Sequence, residues 1–179
     1  MNLLRLLILT IATLLLSACA SKPSTDYDTQ YDFGSLKHFT LQRPTDIGDP
    51  LSTERIDNAI VENLTQRGYQ QSPDQTQFMV TYGFKVVDKP KRSGVSIGLG
   101  TGSWGSSGGV GVSTSVGVPL GKDNTKMQII QIDIVDSASN KLIWRGSDKF
   151  DYDDGGEKKA KETRETISKI LNQFPPKTE

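Results

Sequence analysis

Apolar positions along this chain recur in two different periods, and the breaks between periods mark the ends of elements. Phe78, Val80, Tyr82, Phe84 and Val86 alternate with polar or small neighbours, which predicts a half-buried strand. Ile130, Ile132 and Ile134 alternate in the same way and predict a second strand over about 126–135. The turn residues Ser137-Ala138-Ser139-Asn140 then lead into a third, from Lys141 to about Asp151, carrying Trp144 and Phe150. So short a connection makes the last two an antiparallel hairpin. Leu36 to Leu41 reads as an earlier strand.

Helical spacing appears twice. Ile56, Ala59, Ile60 and Leu64 share one face and predict a helix over about 53–66. Ser52 stands as its N-cap, Leu51 and Ile56 as a hydrophobic staple, and Gly68 at the left-handed position beyond its end. Ala160, Thr163, Ile167, Ile170, Leu171 and Phe174 form the inner face of a final helix, stopped by Pro175-Pro176. The acidic run Asp151 to Glu157 is expected to open it, where carboxylates complement the helix dipole. The order strand, helix, strand, strand, strand, helix predicts an α+β fold. Its expected form is a two-layer sandwich, an antiparallel sheet of about four strands with both helices on one face.

Between the two central strands lies a glycine-rich segment, 93–121, with 10 of the chain's 17 glycines. Val95, Ile97 and Leu99, and later Val110, Val112, Val116 and Val118, alternate with glycine or serine. A hairpin bending near Trp104 would place branched side chains on one face only. The segment reads as a loop or arm extending its flanking strands, or as a self-association or membrane-contacting element with Trp104 as its interaction tip. A lone hairpin cannot span a bilayer, because its edges leave backbone groups unpaired.

The N-terminus follows a different logic. Met1 to Arg5 carry one charge, Leu6 to Leu16 form an apolar run too short to cross a membrane, and Ser17 and Ala18 are small. Cys19, the single cysteine, comes next. Leu16-Ser17-Ala18-Cys19 resembles the lipobox of bacterial lipoproteins. The resemblance implies a diacylglycerol on the Cys19 sulfur, cleavage before Cys19, and a further acyl chain on the freed amine. Residues 1–18 are then a signal peptide, 19–30 a lipidated tether or in part a short edge strand, and 31–176 one domain. Ala20 after the cysteine, rather than Asp, implies sorting to the outer membrane with the domain facing the periplasm.

Several short segments together resemble a lipoprotein family found mostly in Gram-negative bacteria, domain of unknown function 4136. They are Tyr31-Asp32-Phe33, Arg55-Ile56, Arg67-Gly68-Tyr69, Ile132-Asp133-Ile134-Val135-Asp136, Leu142-Ile143-Trp144-Arg145-Gly146 and Phe174-Pro175-Pro176. The resemblance implies an envelope lipoprotein and no particular enzymatic chemistry.

Composition narrows the chemistry. There are 21 basic and 21 acidic side chains, so the basic field that nucleic-acid binding needs is missing. One cysteine allows no internal disulfide, and His38, the single histidine, allows no histidine pair for a metal. No nucleophile-elbow pattern accompanies His38. Gly100 to Gly105 satisfies GxGxxG without a following helix pattern, and Gly117 to Lys122 is one residue short of a phosphate loop. Asp151, Asp153 and Glu162 match part of a calcium-loop count, but Gly155 and Lys159 occupy ligand positions. Trp144 is expected in the core. No catalytic, metal or cofactor site is therefore expected. The sequence points to a non-enzymatic envelope module, structural or protein-binding. The alternatives are a binding module for a glycan or lipid fragment and, more remotely, a hydrolase of envelope polymers.

Overall fold

The computed structural model describes residues 22–45, 48–89 and 125–176. In chain order the elements are strands β1 (Ser24–Tyr27) and β2 (His38–Gln42), helix α1 (Pro50–Gln66), and strands β3 (Gln70–Gln71), β4 (Phe78–Asp88), β5 (Lys126–Asp136) and β6 (Leu142–Tyr152). Helix α2 (Gly156–Leu171) closes the series, and a short 3-10 turn (Phe33–Ser35) precedes β2. One sheet has the order β1-β6-β5-β4-β2-β3.

The α+β class holds, and the sheet differs from expectation in two respects. It has six strands rather than about four, and it is mixed: β2 runs parallel to both β3 and β4. The cause is the 17-residue helix between β2 and the next strands. Crossing the sheet once on a helix returns the chain to its starting end, so the following strand must run parallel. The β4–β5 and β5–β6 pairs are antiparallel as predicted, with Asn140 at φ 56° in the β5–β6 turn. The stretch read mostly as tether contains β1, antiparallel to β6 with Tyr27 opposite Trp144.

Alternation fixes which face is buried. Phe39 on β2, Phe78, Val80 and Tyr82 on β4, Ile130, Ile132 and Ile134 on β5, and Trp144 and Phe150 on β6 meet the apolar stripes of both helices in one core. Phe174 is its hub, with ring centroids 5.5 Å from Trp144, 5.8 Å from Phe78, 5.7 Å from Tyr69 and 6.0 Å from Phe33. Gly146 lies beneath the Trp144 indole: a Cβ there would sit 2.3 Å from the ring and 2.7 Å from Ile170.

The helix ends differ in instructive ways. The N-cap of α1 is Asp49, not Ser52, with Pro50 in the first turn. Asp49 accepts from Leu51 N–H at 3.2 Å and from Ser52 Oγ at 2.6 Å, while Leu51 is 62% exposed and forms no staple. At the other end Gly68 (φ 91°) takes the left-handed position. Gly68 N–H donates to Thr65 C=O and Tyr69 N–H to Leu64 C=O, the paired bonds of a Schellman close. For α2, Asp151 and Tyr152 still belong to β6, so Glu157 alone among the acidic run falls in the first helical turn.

Candidate functional site

Cys19 and Trp104, the two positions singled out from sequence, lie outside the described residues, as does the whole 93–121 segment with its two glycine motifs. Other candidates fall within the described residues. Trp144 is 1% exposed and belongs to the core. Asp151 is in an ion pair with Lys89 at 2.6 Å. No three His, Cys, Asp or Glu side chains among the described residues converge as a metal-holding group. His38 sits on β2 with Nδ1 buried and unpartnered, and its backbone N–H donates to Gln77 Oε1 at 3.0 Å.

The segments that carry the family resemblance converge, and what they build is packing. Tyr31 OH donates to Asp136 Oδ2 at 2.9 Å, and Asp136 Oδ1 accepts from Ser139 Oγ at 2.6 Å. Burial first, then the Asp136 carboxylate, pushes the Tyr31 hydroxyl up to about 12. The Ser139 hydroxyl bond is the main reason that Asp136 stays charged below the ordinary carboxylate range. Asp32 caps the 3-10 turn through Gly34 N–H, and Phe33 enters the core. The Arg67 guanidinium donates to the C=O of Leu171 and of Phe174, closing the C-terminal end of α2. On the helix-free face, Arg145 grips Asp133 with two bonds of 2.7 and 2.6 Å.

Two polar clusters join the layers. Asp57, 4% exposed, accepts from Tyr82 OH at 2.6 Å and pairs with Arg43. Burial and then the Asp57 bond raise the Tyr82 hydroxyl. Lys159, 6% exposed, reaches Asp49 at 3.2 Å with its ammonium 4.7 Å from the Tyr152 ring centre. Asp49 is held below the usual range, chiefly by the Ser52 hydroxyl. Both clusters satisfy buried charge at helix–sheet contacts. Sequence periodicity missed them because Asp57 and Lys159 are polar residues on buried helix faces.

Among the described residues, a groove of ≈ 770 Å³ lies between α1 and the sheet edge, lined by Leu41, Arg43, Asn58, Val61, Glu62 and Thr65 among others. It exists because β3 is only two residues long. Backbone groups along β2 alternate sides: His38 C=O accepts from Gln77 N–H beside β4, and Phe39 C=O from Ser72 N–H beside β3. Leu41 shares the Phe39 orientation, yet the β2–β3 register stops at Phe39. Its N–H and C=O therefore face the groove with no strand beside them among the described residues. A second hollow, ≈ 270 Å³, lies over the Tyr31–Asp136 contact.

A mixed six-stranded sheet with two helices on one face defines the class of protein. Within it, the chain belongs to the family described as domain of unknown function DUF4136, whose model matches residues 23–176. No curated protein matches it. Among solved structures, a PDZ domain protein from Parabacteroides distasonis is similar at 15% identity with a TM-score of 0.58, covering 88% of this chain and 36% of that one. This chain thus spans about a third of that protein's length. The PelC dodecamer from Paraburkholderia phytofirmans is similar at 9% identity with a TM-score of 0.52, covering 88% of this chain and 99% of that one. A minor lipoprotein from Acinetobacter baumannii is matched at 13% identity over 77% of this chain and 88% of that one, with a TM-score of 0.39.

Proposed function

We propose that this protein is a lipoprotein held by acylated Cys19 at the outer membrane, its domain facing the periplasm and working without enzymatic chemistry as an assembly module. The observation that carries this reading is where the fold begins. From Cys19 to Ser24, the first residue of β1, is five residues, so the tether spans at most about 18 Å. A lipid on Cys19 therefore holds the sheet edge, and not a distant domain, against the bilayer. Two or three acyl chains at about 0.8 kcal/mol per buried methylene make such attachment close to permanent.

Two further observations support assembly over catalysis. Most residues that carry the family resemblance are occupied in core packing, caps and surface ion pairs, and the two that line the ≈ 270 Å³ hollow, Tyr31 and Asp136, are bonded to each other. PelC, which shares the fold, is a dodecamer, and an assembly role extends that property to this chain. The ligand-binding alternative is supported less well, because the centre of the interface between sheet and helices is filled by Phe39, Phe78, Trp144 and Phe174, and the groove at its edge is lined mostly by polar side chains such as Arg43, Asn58, Glu62 and Thr65.

The test is fractionation of cells carrying the full chain or Cys19→Ser. The parent is expected to sediment with outer membranes through salt and carbonate washing, and the variant to lose that retention. A Cys19→Ser protein that remains in washed membranes would overturn the anchor.

A further inference from the structure

The sheet has two exposed edges, and they differ. On one, Leu41 and, one residue past β2, Arg43 lie beside the groove beyond the end of the β2–β3 register, with no strand against that side of their backbone among the described residues. On the other, all four residues of β1 are exposed. Asp28 N–H donates to Ile143 C=O, so Asp26 and Ser24 also face β6, and Thr25 and Tyr27 turn their backbone groups outward. We propose that the Thr25–Tyr27 edge of one copy docks antiparallel on the Leu41–Arg43 edge of the next, so that sheets continue from copy to copy. The proposal deepens the assembly reading above and rests on it for the placement of anchors.

Four features argue for this occupant. The first is direction. Following the sheet order from β1 through antiparallel β6, β5 and β4 to parallel β2 leaves β1 antiparallel to β2. A neighbouring copy in the same orientation therefore offers its β1 in the antiparallel sense, the pairing with well-aligned hydrogen bonds. The second is the face. Tyr27 lies opposite Trp144 and 6.3 Å from the Phe33 ring, on the helix side, yet is 40% exposed. On a neighbour it enters the groove on that same side, between Leu41 and Val61.

The third is register. Phe39 C=O already accepts from Ser72 N–H, so new pairing starts at Leu41. That sets Tyr27 opposite Leu41, Asp26 opposite Gln42 and Thr25 opposite Arg43. Tyr27 N–H, which in a single copy donates to Asp26 Oδ1 at 2.9 Å, turns to Leu41 C=O. The fourth is charge. Pairing like with like across β1 would set the two Asp26 carboxylates opposite each other, a destabilising arrangement. Docking on β2 instead sets Asp26 opposite the uncharged Gln42, so no two carboxylates face each other.

The geometry also suits a membrane. Antiparallel pairing of like edges reverses one copy and points the two N-termini in opposite directions. Head-to-tail pairing keeps every Cys19 at the same end, and it forms a ring where the rotation per copy closes.

The test uses the full lipidated chain in intact cells with Asp26→Cys and Gln42→Cys combined. These face each other as a non-hydrogen-bonded pair, with Cα atoms about 4.5 Å apart, inside disulfide range. Mild oxidation is expected to give a ladder of trimers and larger species on a non-reducing gel, with each single variant and the parent remaining monomeric. Thr25→Pro, which removes an outward N–H that the single copy does not use, is expected to abolish the ladder with the thermal midpoint unchanged. A double variant that stays monomeric, stops at the dimer, or ladders regardless of Thr25→Pro overturns the proposal. Dimers of the parent through Cys19 would report a free sulfur and count against the anchor alone, while the double variant still decides the edge.

Discussion

Gly146 shows how tightly single positions are determined. The Trp144 ring occupies the space a side chain would need, and Ile170 closes it from α2. Gly146→Ala is therefore expected to destabilise by about 1–3 kcal/mol through overpacking, read as a lower urea midpoint with an unchanged slope. Asp49 and Asp136 give a pH signature. Each is more acidic folded than unfolded, so its contribution is complete above the unfolded value near 4 and is lost as pH falls through the lower folded value. Thermal midpoints are expected to hold from neutral pH to about 4 and fall below it. Asp49→Asn and Asp136→Asn should each make that acid limb shallower, and limbs of equal slope would contradict the assignment. Trp144 as core was legible in the sequence, because an aromatic in an alternating strand has few other uses. The Asp57–Tyr82–Arg43 cluster was not, since its acid and base come from different elements brought together only by packing.

At the level of elements, apolar periodicity located both helices and the three long strands to within a few residues. The signals that failed were local ones. Ser52 looked like a cap, but Asp49 with Pro50 in the first turn is the stronger start signal. Ser52 is buried and serves the cap by donating to it. Two substitutions separate these assignments by urea titration: Asp49→Ala is expected to cost about 1 kcal/mol, and Leu51→Ser to stay within about 0.5 kcal/mol. Gly68→Ala, which forces a Cβ into a left-handed residue, is expected to cost about 1–2 kcal/mol. Strand β1 reads from sequence only as an alternative to tether within 19–30, and β3 not at all, because four and two exposed residues carry no apolar period. They exist through backbone pairing to neighbours whose own period was clear, and β3 is short enough to leave half of β2 uncovered.

For the whole molecule, the order of the two helices and the longer strands is visible in the sequence, and the direction of β2 against β4 is not drawn from it. The helix between them held that information, because a crossover of this length returns the next strand parallel. The parallel strands leave the two sheet edges unlike each other, one acidic and one grooved. A molecule whose edges are unlike can add copies in one direction. A molecule pinned within about 18 Å of a bilayer meets those copies already oriented. The role proposed here depends on that pinning. Its most direct test is the mass of the N-terminal peptide of the protein isolated from membranes. The account predicts a chain beginning at Cys19 whose mass includes a thioether-linked diacylglycerol and an amide-linked acyl group. An unmodified cysteine, or a chain that still begins upstream of it, would contradict the account.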